Sequence, residues 1–329
     1  MAALRKVVSM GVLATLAAAC GTDFEPASLL TAPRLVGVVA EPPEIAFDGV
    51  SALTAVVTEA DAVTEATFAV CPVSIGSVGG YACASPELPL PATGLTATLD
   101  AAPFEAFLAT LANDFGRYAR ALKAGVVAED PCLAGVLAER DACGAAAGCD
   151  AAAGEAAVAC LRTNGLDATV RLTLRFGDAE PFDSYKRVRL RDVSADHPAN
   201  RNPRLLGVRV AAADSTDDGV TLVAGGTLEV EAGRGARLEP LLEDGSIETW
   251  SHDGRDHTEL VSYSWFTTAG SLDYGRSTAE VPDVELSVPA RADDDWAPLL
   301  HVWVVARDDR YGTDALTFSL TVVDGGATP

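Results

Sequence analysis

The chain reads as mostly β, built as two antiparallel β-sandwiches, the first interrupted by a block of helices. Three observations predict this. Apolar residues alternate with polar ones in Val170–Phe176, in Val188 and Leu190 set against Arg187, Arg189 and Arg191, in Val284, Leu286 and Val288, and in Leu316, Phe318, Leu320 and Val322. Such a period of two buries one face of a strand and wets the other, and short strands separated by turns are the signature of a sandwich. Second, Pro33-Arg34-Leu35-Val36-Gly37-Val38 returns as Pro203-Arg204-Leu205-Leu206-Gly207-Val208, so two related units each open with the same edge strand. Third, between Cys83 and Val170 the period changes from two to three and four, which marks helices.

At the N-terminus, Arg5 and Lys6 precede an apolar run from Val7 to Leu16, and Ala17-Ala18-Ala19-Cys20-Gly21 closes it with small residues and a cysteine. The pattern resembles a bacterial lipoprotein signal peptide, with Ala17 where Leu is usual. The resemblance implies that residues 1–19 are removed, that Cys20 is acylated (palmitate among its lipids), and that residues 20–32 form a lipid anchor and tether. Gly21, with no Asp there, resembles the sequence sent to the outer membrane, although the membrane face stays open. The apolar run is too short to span a bilayer, which needs about 20 residues.

Residues 33–195 form the first sandwich unit, with strands at Ala52–Thr58 and Ala66–Val73, and Asp196–Asn202 reads as a linker. The insertion covers about residues 100–164. Phe104, Phe107, Leu108, Leu111, Phe115, Tyr118 and Leu122 form one apolar face on a helix from Ala102 to Ala124, capped by Asp100 and ended by Gly125. A second helix runs from Asp130-Pro131 to Gly144, and a third from Asp150 to Leu161.

Seven cysteines occur, and with Cys20 lipidated six remain, an even set expected to pair in an exported protein. Cys132 and Cys143 are eleven residues apart, as are Cys149 and Cys160, so each pair shares a helix face. Eleven residues also span about 16 Å, too far for a bridge within one helix. An antiparallel hairpin then allows Cys143–Cys149 and Cys132–Cys160, with Ala and Gly on the facing sides, and Cys71–Cys83 closes a loop around Gly79-Gly80. The ladder resembles twin Cys-x9-Cys hairpins with one extra residue per helix. It is expected to project as a rigid finger, with the Phe face of the first helix packed against it or against the sandwich.

Residues 203–324 form the second unit and hold all four tryptophans. Tyr263-Ser264-Trp265-Phe266, then His301 to Asp309 and Thr317 to Val323, resemble the tryptophan-bearing third strand and closing hairpin of immunoglobulin-like domains of the PKD kind. That resemblance implies two immunoglobulin-like β-sandwiches in tandem, the second without a core cystine. It implies a fold and no particular activity.

A net charge of −23 repels nucleic acid and anionic membrane surfaces. Against that background Arg171, Arg175, Arg187, Arg189 and Arg191 gather on one outward face, able to accept a phosphate-bearing lipid or glycan or an acidic partner, or else simply solvated. His252, Asp253, Asp256 and His257 are weak candidates for zinc or copper, set against a solvated turn. Asp293, Asp294 and Asp295, and Asp308, Asp309 and Asp314, offer oxygen ligands for calcium without EF-hand spacing. His197 and His301 read as structural or exposed. No catalytic motif is recognisable, and no cofactor is expected. The reading is a non-enzymatic, lipid-anchored envelope protein that binds another envelope protein or a glycan or plays a structural role. A carbohydrate-binding or cell-wall-hydrolase accessory protein is the alternative.

Overall fold

The repeated hexapeptide opens both sandwiches with the same device. In the computed structural model, which describes residues 26–125, 131–144, 147–194, 198–252, 255–290 and 298–324, β1 (Leu35–Glu41) pairs with β3 (Val50–Val57) and the register slips between Leu35 and Gly37. Its counterpart β10 (Leu205–Ala212) pairs with β13 (Gly235–Leu242) and slips between Leu205 and Gly207. Both bulges are braced alike. The Arg34 amide donates to Thr58 Oγ1 and the Arg204 amide to Ser246 Oγ, while the carbonyls of Arg34 and Arg204 accept from Thr58 and Glu243. An extra residue at this point bends the strand and raises its twist.

The first sandwich adds β2 (Glu44–Ile45), β4 (Val63–Cys71), β5 (Leu88–Pro89), β6 (Ala92–Thr93), β7 (Thr96–Asp100), β8 (Leu166–Phe176) and β9 (Phe182–Leu190). Its sheets run β1-β3-β7-β6 and β2-β9-β8-β4-β5. The second adds β11 (Val220–Leu222), β12 (Thr227–Glu231), β14 (Thr249–His252), β15 (Arg255–Thr258), β16 (Ser262–Thr267), β17 (Ser271–Leu272), β18 (Arg276–Thr278), β19 (Val284–Ser287), β20 (Leu299–Arg307) and β21 (Thr313–Val323). Its sheets run β11-β10-β13-β19-β17 and β12-β21-β20-β16-β18, with β14 and β15 forming a separate hairpin. In both units a short strand after the first one crosses to the opposite sheet and pairs parallel with the last strand, β2 with β9 and β12 with β21. That switch, with antiparallel pairing elsewhere, is the immunoglobulin-like arrangement. The opening strand lies at a sheet edge only in the first unit, because β11 covers β10 in the second.

Trp265 fills the second core and is fully buried among Phe318, Leu238 and Leu286, with its indole N–H donating to Ser277 Oγ. The outer side of β20 is apolar too. Trp303 and Val305 bury there against Leu30 and Val36, so the two units share a small cluster at their junction. The stretch expected to be a free tether is in part built into the fold: Leu30 donates to the Thr267 carbonyl and Thr267 to the Ser28 carbonyl, which adds Ser28–Leu30 to the edge of the second unit.

The insertion follows β7 and precedes β8 as four helices: α1 (Ala102–Asn113), α2 (Phe115–Gly125), α3 (Pro131–Cys143) and α4 (Ala147–Asn164). The single helix expected over Ala102–Ala124 is broken at Asp114, whose backbone leaves the helical region at φ −134° and ψ 49°. Asn113, Asp114 and Gly116 are weak helix formers, and the step of four from Leu111 to Phe115 survives the break. Asp100 accepts from the Ala102 amide as expected of a cap. Disulfides join Cys132 to Cys160, Cys143 to Cys149 and Cys71 to Cys83, with Cα separations of 5.8, 6.0 and 5.6 Å.

The hairpin of α3 and α4 does not project. Leu133, Val136, Leu137, Ala157 and Leu161 bury in one continuous cluster with Phe104, Leu108 and Leu111 of α1 and with Val170 and Leu172 of β8. Small residues line the side where the two helices face one another, but Leu133, Leu137 and Leu161 supply a second, apolar side that needs a partner. Glycine makes the fit close. A Cβ on Gly154 would lie 2.9 Å from both the Cα and the carbonyl carbon of Ala112 in α1, and against its oxygen.

Candidate functional site

Strand β9 carries the arginine row to the place where the sandwiches meet. Register pairs Arg189 with Asp167, Arg187 with Thr169 and Tyr185 with Arg171, so these side chains stand on one outer face of the β8–β9 ladder. Four of the five predicted arginines are already matched by carboxylates. Arg171 grips Glu87 through Nη2 at 2.5 Å and Nε at 3.2 Å, Arg175 reaches Glu65 at 3.1 Å, and Arg189 forks onto Asp167 at 2.7 and 3.1 Å. Arg191 pairs with Glu44. None of these partners lies in the helical insertion. Only Arg187 differs, with its guanidinium 4.1 Å from the Tyr311 ring centroid and donating to the Tyr311 hydroxyl.

Tyr311 is the hinge of this arrangement. It lies in the turn between β20 and β21 at φ 80°, a conformation that is strained for a bulky residue. Its hydroxyl donates to Asp167 Oδ2 at 2.9 Å, and its carbonyl accepts from Lys186 Nζ. A tyrosine of the second unit is thereby clasped by three residues of the first. Burial pushes its phenol up to about 12.

Behind Tyr311 lies a buried ionic network. Arg310 donates through Nη1 to Glu248 and Glu259, at 3.4 and 3.3 Å, and through Nη2 to Glu44 at 3.5 Å, and its guanidinium lies 4.9 Å from the Trp250 ring. Glu44 belongs to the first unit, the other two carboxylates to the second. The expected linker takes part: Asn200 is fully buried, its amide donates to Glu44 and its Nδ2 to Asp308 and to the Arg310 carbonyl. Residues 195–197, with His197, lie outside the described residues.

The acidic loop proposed for calcium is spent on backbone amides and on the Asn200 side chain. Asp308 accepts from Arg310, Gly312 and Asn200, Asp309 from Leu260, and Asp314 from Leu205 and Ala315. These carboxylates brace three different segments, so they do not converge on one point as a cation requires. Arg310 instead supplies positive charge between the units. Asp293, Asp294 and Asp295 lie outside the described residues, as do Asp253 and the side chain of His252. His257 stacks on Trp250 at 5.3 Å on the β14–β15 hairpin, and Asp256 is exposed. Among the described residues, no group of three or more His, Cys, Asp or Glu is placed to hold a metal ion. His301 shares a hydrogen bond with Ser319 Oγ.

Burial dominates the protonation of Glu259. Desolvation, reinforced by Asp308 and Glu248 and opposed by the Glu248 amide and Arg310, raises its carboxyl to about 7. The folded state therefore holds a proton that the unfolded chain releases near 4.5, and stability falls as pH rises from about 4.5 to 7. Glu259→Gln is expected to flatten the pH dependence of the melting temperature in that window relative to the unaltered protein, and to melt higher at pH 8. Parallel slopes for the two proteins between pH 5 and 8 would refute this.

Neither a protein-family model nor a curated protein matches the sequence. Solved structures similar to it include fibronectin(III)-like modules of Clostridium thermocellum CbhA, at 9% identity and TM-score 0.24 over 89% of this chain and 97% of that one. The N-terminal Ig1-2 module of the Drosophila receptor protein tyrosine phosphatase DLAR gives 9% and 0.22, over 88% and 98%. A nucleoside hydrolase-related hypothetical protein from Saccharophagus degradans, associated with carbohydrate metabolism, gives 13% and 0.24 over 38% of this chain. The chain spans about a quarter of that protein (26%). At these scores the fold rests on the strand order itself.

Proposed function

We propose that the chain is a non-enzymatic, lipid-anchored protein of a bacterial envelope whose two immunoglobulin-like sandwiches act as one stiff body for binding another envelope component. The observation that supports this best is the junction. Tether residues Ser28–Leu30 add to the second unit, Tyr311 is clasped by the first, and Arg310 bridges carboxylates of both. A body joined this way transmits the position of its anchor to surfaces at its far side, as a scaffold requires and as a flexible string of modules does not. The anchor itself rests on the sequence around Cys20, which lies outside the described residues. Several acyl chains hold a protein stably where one alone is marginal. Cys20→Ala is therefore expected to move the protein from the membrane fraction to the soluble exported fraction, read by fractionation and immunoblot. If the variant sediments with membranes as before, the anchoring is wrong.

A further inference from the structure

The junction also leaves a basic cavity that neither the fold nor the anchor explains. It has a volume of about 290 Å³ and lies where β1 meets β9, β20 and the β20–β21 turn, with Gly37, Tyr185, Lys186, Arg187, Arg307 and Tyr311 in its wall. Among the described residues, no carboxylate oxygen comes within 4.0 Å of the charged ends of Lys186, Arg187 or Arg307. The acid in the wall is Asp308, whose oxygens already accept from Arg310, Gly312 and Asn200.

Neutral acceptors hold the three cations in place without cancelling their charge. Lys186 donates to the Tyr311 carbonyl and to Thr313 Oγ1 at 2.8 Å, Arg307 to Ser264 Oγ at 3.0 Å and the Val36 carbonyl at 3.3 Å, and Arg187 to the Tyr311 hydroxyl at 2.9 Å. Lys186 is nine-tenths buried. Desolvation, with Arg307 and Arg187 adding repulsion and Asp308 opposing, lowers its ammonium to about 8. Clustered, partly buried like charges cost folding free energy, and such clusters concentrate at functional sites. The larger hollow beside the linker, about 430 Å³, offers a contrast: its Arg201 and Arg204 pair with Glu248 and Glu243.

We propose that this cavity binds a small organic anion, one carboxylate or phosphate group on a body of about a single sugar ring. The fixed donors of Lys186, Arg187 and Arg307 receive the anionic group, and the Tyr185 and Tyr311 rings flank the remainder. Specificity for charge follows, because the wall holds two more positive than negative groups in a chain whose net charge is −23. Recognition of this kind needs no lipid anchor, so it stands or falls apart from the anchoring.

The test is isothermal titration of the full chain in low-salt buffer with inorganic phosphate and, separately, with glucuronate, using glucose and sodium chloride at matched ionic strength as controls. Saturable binding of at least one anion is expected, phosphate or glucuronate identifying the group preferred, with no response to glucose. Arg187→Gln, which changes a solvent-exposed side chain, is expected to weaken binding at least tenfold with only a small fall in melting temperature, because Arg189 and Asp167 still hold Tyr311. Lys186→Met is expected to abolish binding in a protein that still melts cooperatively, the lost bonds to Tyr311 and Thr313 being offset in part by removal of a buried charge. The proposal is overturned if neither anion binds, if sodium chloride reproduces the response, or if both variants bind as the unaltered protein does.

Discussion

Gly154→Val is expected to unfold or severely weaken the helical insertion, while Gly135→Ala in the neighbouring helix stabilises it slightly. Both glycines lie inside helices of the same cystine-linked hairpin, so composition alone would treat them alike. A Cβ at Gly135 meets nothing within 4 Å, and the change recovers the helix propensity lost at glycine, about 0.5–1 kcal/mol. At Gly154 the first added carbon already presses on the backbone of Ala112 at 2.9 Å, and backbone cannot swing aside as a side chain can. Relief requires α4 to move away from α1, which opens the packing of Leu108, Leu111, Ala157 and Leu161 in the cluster shared with β8. Overpacking costs about 1–3 kcal/mol where the surroundings relax, and valine exceeds that because the cystines tie α4 to α3, so that α3 with its buried Leu133 and Leu137 must shift too. The measurement is a thermal melt followed by circular dichroism. A drop below 3 °C for Gly154→Val would show that α1 and α4 do not pack this closely in solution.

That contact shows where sequence reasoning runs out. Alternation in Val170–Phe176 gave the inner and outer faces of β8 correctly, because a strand's period of two is local. The Cys132–Cys160 ladder was legible for the same reason, since helix rise and bridge length are fixed quantities. The hexapeptide repeat marked two units, but the bulge it encodes becomes visible only through β3 and β13. Small residues in α4 signal close approach without naming the partner, and they face α1 at Ala112 as well as the cystine-linked α3. The junction was hidden more deeply. Arg310 meets Glu44 across 266 residues and Lys186 meets Thr313 across 127, and no pattern along the chain links such pairs. The arginine row was visible as a stripe, yet its neutralisation by Glu87, Glu65, Asp167 and Glu44 depends on pairing that only the folded sheets define.

Arg310→Ala is expected to cost about 3–5 kcal/mol at pH 8, because it strands carboxylates rather than merely deleting a contact. Arg310 is mostly buried, and it contacts Glu44, Glu248 and Glu259, of which Glu259 has no exposed side-chain surface. Arg191 still faces Glu44 after the change, whereas Glu259 keeps no cation within 4 Å among the described residues. The loss falls on the junction, since Glu44 sits in β2 of one unit and Glu248 and Glu259 flank the β14–β15 hairpin of the other. Opening that junction frees the backbone now held through Asn200 and Asn202, and tryptic cleavage after Arg201 or Arg204, whose side chains are already exposed, reports it. Where cleavage follows the population of the open form, a change of about 3 kcal/mol raises the rate by about two orders of magnitude. At pH 5 the effect shrinks, because Glu259 then carries a proton and is no longer a stranded charge. Arg209→Ala is the control. Its pair with Glu239 is about one-third exposed on both sides, so it is expected to change stability by less than about 1 kcal/mol and leave cleavage of the linker unaltered. Equal cleavage of Arg310→Ala and Arg209→Ala at pH 8 would mean that the two sandwiches are joined by other contacts, and that the ionic network is an ornament of the junction rather than its lock.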